Sequence, residues 1–178
     1  MSEPIVPHRS HTAFTGRIFT VRIESITLPR GHTLDAEIVS HPGSVVLIPV
    51  TDRGDIVLVR QYRHAIGRSV WELPAGSLKP GEQPRAAAVR ECHEEIGLIP
   101  TNVVQLGAFF PTPGYCNEKM TFFRMAGLRQ PTDADPQAMQ DEDEDIEARA
   151  FPVDVIRQMI ASGEMADMKT VAALALIT

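Results

Sequence analysis

Between Gly76 and Leu98 the chain reads GSLKPGEQPRAAAVRECHEEIGL, which gathers Glu82, Glu91, Glu94, Glu95 and Arg90 within one short stretch. In a helix, Glu91, Glu94 and Glu95 stand at i, i+3 and i+4 and share a face. Like charges so placed cost a few tenths of a kcal/mol per pair, and a divalent cation offsets that cost. Hard cations such as Mg²⁺ prefer carboxylate oxygens and retain waters, which leaves coordination positions for phosphate oxygens. Metal-assisted cleavage of a diphosphate is therefore the first chemistry to consider. Arg90 is expected to face away from Glu94 and to pair with Glu82, holding the leading loop against the helix. The alternative is an exposed helix that simply carries many glutamates.

The local signals build these residues into a loop followed by a helix. Pro80 and Gly81 make a turn, and Pro84 suits a first helical turn, where its missing N–H costs nothing. Ala86 to Ile96 holds neither Gly nor Pro, and Gly97 supplies a stop with positive φ. Val89, Cys92 and Ile96 form a stripe able to pack on a core. Strands are expected at Phe19 to Leu28, Thr33 to Val39, Ser44 to Val50, Ile56 to Tyr62, Val70 to Leu73, Val103 to Phe110 and Met120 to Ala126. Helices are expected at Val153 to Ser162 and Thr170 to Ile177. Strands on both sides of a central helix indicate an α+β fold. Residues 1–40 read as a small N-terminal β segment and residues 41–178 as the main domain.

A chain of 178 residues is long enough for one well-buried domain. Its formal net charge of −6 at pH 7 argues against nucleic acid as a partner, since binding phosphates nonspecifically needs clustered Lys and Arg. No run approaches the ~18 apolar residues of a membrane span, and the start, MSEPIVPHRSHTAF, lacks the apolar core of a secretory signal. A cytoplasmic protein with no membrane partner is expected. Cys92 and Cys116 have no zinc-like spacing or neighbouring histidines and read as reduced, structural thiols.

The whole pattern resembles the Nudix box: Gly76, five residues, Glu82, seven residues, Arg90-Glu91, an apolar residue, any residue, Glu94-Glu95, any residue, Gly97 and an aliphatic residue. Seven such fixed positions coincide by chance on the order of once in 10⁸ starting points. Cys92 departs from the larger aliphatic residue usual there, and a buried cysteine behaves as a small hydrophobe. The flanks RQYRHAIGRSVWELPAG (60–76) and FPTPGYCNEKMTFFRMAGL (110–128), with HPGSVVLIPV (41–50) and GEMADMKTVAALAL (163–176), are similar to the ADP-ribose pyrophosphatase branch. Pro113 matches the proline that this branch carries about sixteen residues beyond the box. The resemblance implies a Nudix fold, a mixed β-sheet between helices in an α/β/α sandwich. It also implies a homodimer that exchanges N-terminal segments.

By that resemblance the substrate is a nucleotide-sugar, with ADP-ribose cleaved to AMP and ribose 5-phosphate. GDP-mannose and 8-oxo-dGDP are rival substrates. A silent nucleotide-sugar-binding module is a further alternative, although such proteins tend to lose box glutamates and all are present here. The family's metal ligands carry over to Glu91, Glu95 and the backbone carbonyl of Ala75, with Glu94 helping to hold the ion or its waters. Mg²⁺ is the implied cofactor and Mn²⁺ a substitute. Gly76, Glu82, Arg90 and Gly97 carry over as structural. The general base is implied at Glu142 and a further metal ligand at Glu144, in the loop 131–151. Alternation in an extended run would point those two side chains the same way, whereas a merely solvated acidic loop is the other reading.

Arg63 is implied near the substrate, with Glu118 and Pro113 in the later loop. Arg60, Arg63 and Arg68 could all supply positive charge. Strand alternation sends Arg63 and Gln61 to one face and Arg60 and Tyr62 to the other, so only one set can face the diphosphate. The resemblance favours Arg63, with Arg60 an ordinary surface charge. Trp71, Phe14 and Phe19 are unranked candidates to stack on a base, and Trp71 reads equally as core. His93 and His64 receive no role.

Overall fold

The computed structural model describes residues 4–136 and 146–177 and divides the chain into two compact units. One comprises residues up to Gly43 together with Phe109–Lys119, and the other Ser44–Ala108 together with the residues from Met120 onward. In the first unit β1 (Arg9–Thr15), β2 (Thr20–Thr27) and β3 (Thr33–Ser40) form an antiparallel sheet. A register shift between Thr12 and Phe14 bulges β1. The 109–119 stretch docks on the end of β3, where Val39 N–H donates to the Tyr115 carbonyl at 2.7 Å and Asn117 N–H to the Val39 carbonyl at 3.1 Å.

The second unit is built around β4 (Ser44–Pro49), the continuous apolar run of the sequence, every residue of which is buried. It lies in a mixed four-stranded sheet of order β7-β4-β9-β8, comprising β7 (Ala75–Ser77), β8 (Ile99–Phe109) and β9 (Met120–Arg129). β4 runs antiparallel to β7 and parallel to β9. A strand buried on both faces needs no polar side, and the period of two divides its residues between two cores. Val45 and Leu47 pack with Ala87, Ala88 and Cys92 of α1 (Pro84–Ile96) and with Phe123 and Met125. Val46 and Ile48 pack with Leu58, Phe122, Phe151 and with Ile156 and Met159 of α2 (Val153–Ser162). The sheet thus carries α1 on one face and α2 on the other. A second sheet of order β10-β5-β6 joins β5 (Ile56–Arg63), β6 (Arg68–Glu72) and β10 (Glu147–Phe151), all antiparallel.

β1, β7 and β10 are strands that periodicity does not predict. RSHTAFT is exposed throughout and EARAF exposed except at Phe151, so each owes its conformation to the ladder of its neighbour rather than to an apolar stripe. The last helix, α3 (Met168–Leu174), starts two residues earlier than expected because Asp167 accepts from the Thr170 N–H at 2.9 Å and caps it. Val89 belongs only in part to the expected core stripe. Cys92 is fully buried, while Val89 is half-buried and also faces an open groove. No helix of the described residues is long and apolar enough to cross a membrane.

Candidate active site

The helix α1 has the ends its sequence calls for. Pro84 occupies its first turn, and Gly97, at φ 69°, closes it with its N–H on the His93 carbonyl at 3.0 Å. The face turned to the sheet is small, Ala87, Ala88 and Cys92, so the helix seats closely enough to bury Glu91 and Glu95 to 8 % and 5 % exposure. Gly76 on β7 completes the approach. A Cβ there would fall 2.0 Å from the Glu91 carboxylate, so any side chain would displace that group from the strand. Ala75, whose carbonyl is the expected additional ligand, immediately precedes Gly76 in the same strand.

Arg90 organises the charges. Its Nε donates to Glu82 Oε1 at 2.9 Å and its Nη2 to Glu82 Oε2 at 2.9 Å, a closed two-bond fork. Glu82 Oε2 also accepts from the Lys79 N–H at 3.0 Å, which ties the loop turn at Gly81 to the helix. The expectation that Arg90 faces away from Glu94 is corrected here: Nη1 donates to Glu94 Oε2 and to Glu91 Oε1, both at 2.6 Å. Four residues advance a helix by a full turn plus only about 40°, so i and i+4 share a side, and Arg90 is a hub rather than a one-partner strut. Its hydrogen bonds to Glu82, then to Glu94 and Glu91, raise the guanidinium's affinity for its proton, and Arg90 in turn lowers the Glu82 carboxyl below the ordinary range. Burial, and to a smaller extent the Glu95 charge, push the Cys92 thiol up to about 12, which leaves it a neutral packing group.

These donors suit a hard divalent cation. They are carboxylate oxygens on a seated helix, and the strand beneath has kept room for them by lacking a side chain at Gly76. Among the described residues, no three His, Cys, Asp or Glu side chains are gathered as an ion site. Arg90 draws Glu91 and Glu94 to its own Nη1, so an ion would compete with a guanidinium for both. Glu142 and Glu144, the expected base and further ligand, lie outside the described residues. A groove of about 690 Å³ lies beside the helix, lined among others by Glu82, Ala86, Val89, Arg90, His93 and Glu94.

The remaining expected residues have partners of their own outside the Arg90 cluster. Arg63 ends β5 and donates through Nε to Glu72 Oε1 at 2.8 Å. Glu72 is buried to 3 % exposure and its Oε2 contacts the Lys169 ammonium. Among the described residues, Arg60 makes only a loose, exposed pair with Glu147 at 3.8 Å. Trp71 packs edge-on against Phe151 with centroids 4.9 Å apart, which commits it to the core. Pro113 and Glu118 belong to the first unit, where Glu118 lies 3.9 Å from His41 Nδ1. Phe14 and Phe19, in that unit too, are exposed and face each other at 6.2 Å. Lys169 is absent from the residues expected at the site, although a lysine inside the apolar run MADMKTVAALAL signals a charge that needs a buried partner.

Comparison with known proteins adds a second line. Residues 40–174 match the family model described as the NUDIX domain. The chain is 34 % identical to an ADP-ribose pyrophosphatase of Bacillus subtilis over 161 residues, covering 90 % of this chain and 85 % of that protein. It is 34 % identical to an ADP-ribose pyrophosphatase of Mycobacterium tuberculosis over 164 residues, 92 % of this chain and 78 % of the other. It is also 36 % identical to a methanol dehydrogenase activator of Bacillus methanolicus over 166 residues, 93 % and 88 %. A solved structure, described as an ADP compounds hydrolase, superposes with a TM-score of 0.81 at 22 % identity, covering 98 % of this chain and 92 % of the other.

Proposed function

The chain belongs to the Nudix hydrolase family, and from that premise we propose that it cleaves the diphosphate of a nucleoside diphosphate sugar with water, ADP-ribose giving AMP and ribose 5-phosphate. The observation that carries the reading is the Glu91 carboxylate lying where Gly76 has no side chain, with Glu95 buried one turn along the same helix. Glu91, Glu95 and the Ala75 carbonyl are the groups that would hold a divalent cation, with Mg²⁺ first and Mn²⁺ as a substitute. Such an ion, when bound, polarises the diphosphate and lowers the pKa of its water.

The chain's own residues do the rest. Glu94 orients a water by accepting its proton in a hydrogen bond, and Glu82 with Arg90 keeps helix and loop in register. Arg63 donates to a non-bridging oxygen of the diphosphate, and Glu142 takes the proton of the attacking water. Glu118 and Pro113 shape the substrate's surroundings from the later loop. A homodimer exchanging its N-terminal β segments, residues 1–40 against the main domain 41–178, and a cytoplasmic setting complete the reading.

A panel of ADP-ribose, GDP-mannose and 8-oxo-dGDP with Mg²⁺, followed by product release, tests it. ADP-ribose turns over fastest and Glu95→Gln abolishes turnover of every substrate. Equal rates for ADP-ribose and GDP-mannose would remove the substrate assignment and leave the chemistry. Turnover of none by the parent protein would sink both. The 36 % identity to a methanol dehydrogenase activator favours a second reading, action on a nucleotide in the service of a dehydrogenase. Stimulation of such an enzyme, measured with the parent and with Glu95→Gln, distinguishes it.

A further inference from the structure

Outside the box, the described residues of the second unit contain a further set of buried charges, and it is built differently. Arg63, at 43 % side-chain exposure, gives Glu72 a single hydrogen bond through Nε. A guanidinium edge and a carboxylate ordinarily close two parallel bonds, as Arg90 and Glu82 do in this molecule. The second bond is missing because the second oxygen is taken: Glu72 Oε2 contacts the Lys169 ammonium, whose side chain is 9 % exposed. Lys169 is itself held. Its Nζ donates to Asp167 Oδ1 at 3.1 Å. Asp167 Oδ2 accepts from the Thr170 N–H at 2.9 Å and from its hydroxyl, and that hydroxyl accepts from the Leu73 N–H at 2.9 Å. Leu73 follows Glu72 in the chain, so both ends of the Glu72–Lys169 contact are tied to one another through backbone.

The consequence falls on Arg63. Among the described residues its Nη1 and Nη2 make no hydrogen bond, and the arginine borders a cleft of about 280 Å³ that Ile66, Val70 and Met168 also line. We infer that Lys169 is a positioning residue. By occupying Oε2 of Glu72 it keeps the Arg63 fork half open, so that the Nη groups remain available to a diphosphate oxygen of the substrate. This rests on the reading of Arg63 given above. Without the ammonium, Glu72 would turn both oxygens to the arginine and draw an Nη donor away from the ligand.

The test is a double-mutant cycle on binding of α,β-methylene-ADP-ribose, a non-hydrolysable diphosphate, measured by calorimetry with Mg²⁺ present. Lys169→Met weakens binding about tenfold, the loss of one charge-assisted hydrogen bond. Lys169→Arg, which keeps a cation on Oε2, stays within about twofold of the parent. In an Arg63→Ala background, Lys169→Met adds less than about twofold, because its effect passes through the arginine. Losses that multiply, or a Lys169→Met protein that binds as the parent does, overturn the positioning role and leave Arg63 in place. Unchanged binding by Arg63→Ala overturns the Arg63 reading itself. The unmodified protein supplies an independent check through arginine side-chain nitrogen spectra. Arg90 shows separate, slowly rotating Nη groups, whereas those of Arg63 average until the ligand is added. Separate Arg63 signals without ligand would mean a closed fork and would overturn the proposal even if Lys169→Met did not fold.

Discussion

Two arginine–glutamate pairs in the same unit serve opposite ends. Arg90 spends both edges of its guanidinium on protein oxygens: Glu82 takes two bonds, Glu91 and Glu94 one each, and the Ser77 carbonyl lies within 3.4 Å. Arg63 spends one, on a glutamate whose other oxygen is already engaged by Lys169. A saturated guanidinium has nothing left to offer a ligand and can only fix the groups around it. A half-satisfied one, anchored at Nε, is oriented yet retains donors. Residue type alone does not separate the two roles, since both are Arg–Glu pairs. What separates them is how the acid's second oxygen is used.

Breaking the saturated pair should have the largest effect. Arg90→Gln leaves Glu82, Glu91 and Glu94 facing one another without the shared cation, and stability falls by about 2–3 kcal/mol in denaturant unfolding. Turnover falls with it by about 10²-fold or more, because the carboxylates lose their common reference point. Gly76→Ala reaches the same group from the other side. Its methyl displaces the Glu91 carboxylate, and turnover falls by about 10²-fold while the Arg90–Glu82 fork stays closed. Equal turnover by Gly76→Ala and parent would show that the seat of Glu91 on β7 is unrelated to chemistry.

Breaking the open pair should separate binding from stability. Arg63→Ala raises KM by about tenfold or more, with an unfolding free energy within about 1 kcal/mol of the parent, since Glu72 keeps Lys169 and the arginine is part-exposed. A large loss of stability with unchanged KM would reverse the roles assigned to the two arginines.

How far these roles can be read without a structure follows the same division. The box helix, its stop at Gly97, the Glu82–Arg90 link and the buried run of β4 are local or strictly periodic, and spacing alone predicts them. Contacts that depend on which strand lies beside which are invisible to spacing. Glu72 and Lys169 are 97 positions apart, and only the pairing of β5 with β6 and the seat of α3 bring Arg63 to the same carboxylate. β10 is silent for the same reason: EARAF is a strand because the ladder of β5 extends to it. The Arg90–Glu94 contact was available from helical spacing and required only that i and i+4 be placed on one side.

Acid should discriminate the closed fork by a smaller margin. The Glu82 carboxyl is held below its ordinary value, first by its hydrogen bond from Arg90, so its folded form keeps a negative charge to lower pH than its unfolded form. A lowered carboxyl stabilises the fold fully above the unfolded carboxylate pKa, and that contribution drains away as pH falls toward and through the folded value. Metal-free thermal unfolding of the parent should therefore lose Tm on acidification below about pH 4.5, and Glu82→Gln should flatten that limb while leaving neutral pH little affected beyond a constant offset. An acid limb of unchanged slope would mean that the Arg90–Glu82 fork contributes nothing to the titration.

The smallest effect reads the two pairs through a bystander. Cys92 lies fully buried on the sheet-facing side of α1, and its thiol, pushed up to about 12 by burial, is protonated and inaccessible in the folded protein. Cys116 is only half-buried. A thiol reagent under native conditions should label Cys116 first and Cys92 only through opening of the helix. Arg90→Gln loosens the loop and the helix it is tied to, so labelling at Cys92 accelerates in proportion to the lost local stability. Arg63→Ala leaves α1 untouched, so the Cys92 rate stays at that of the parent. Acceleration of Cys92 by Arg63→Ala to the same degree would show that the two arginines share one cooperative unit, and the distinction between a saturated and an open pair would then have no energetic counterpart in the fold.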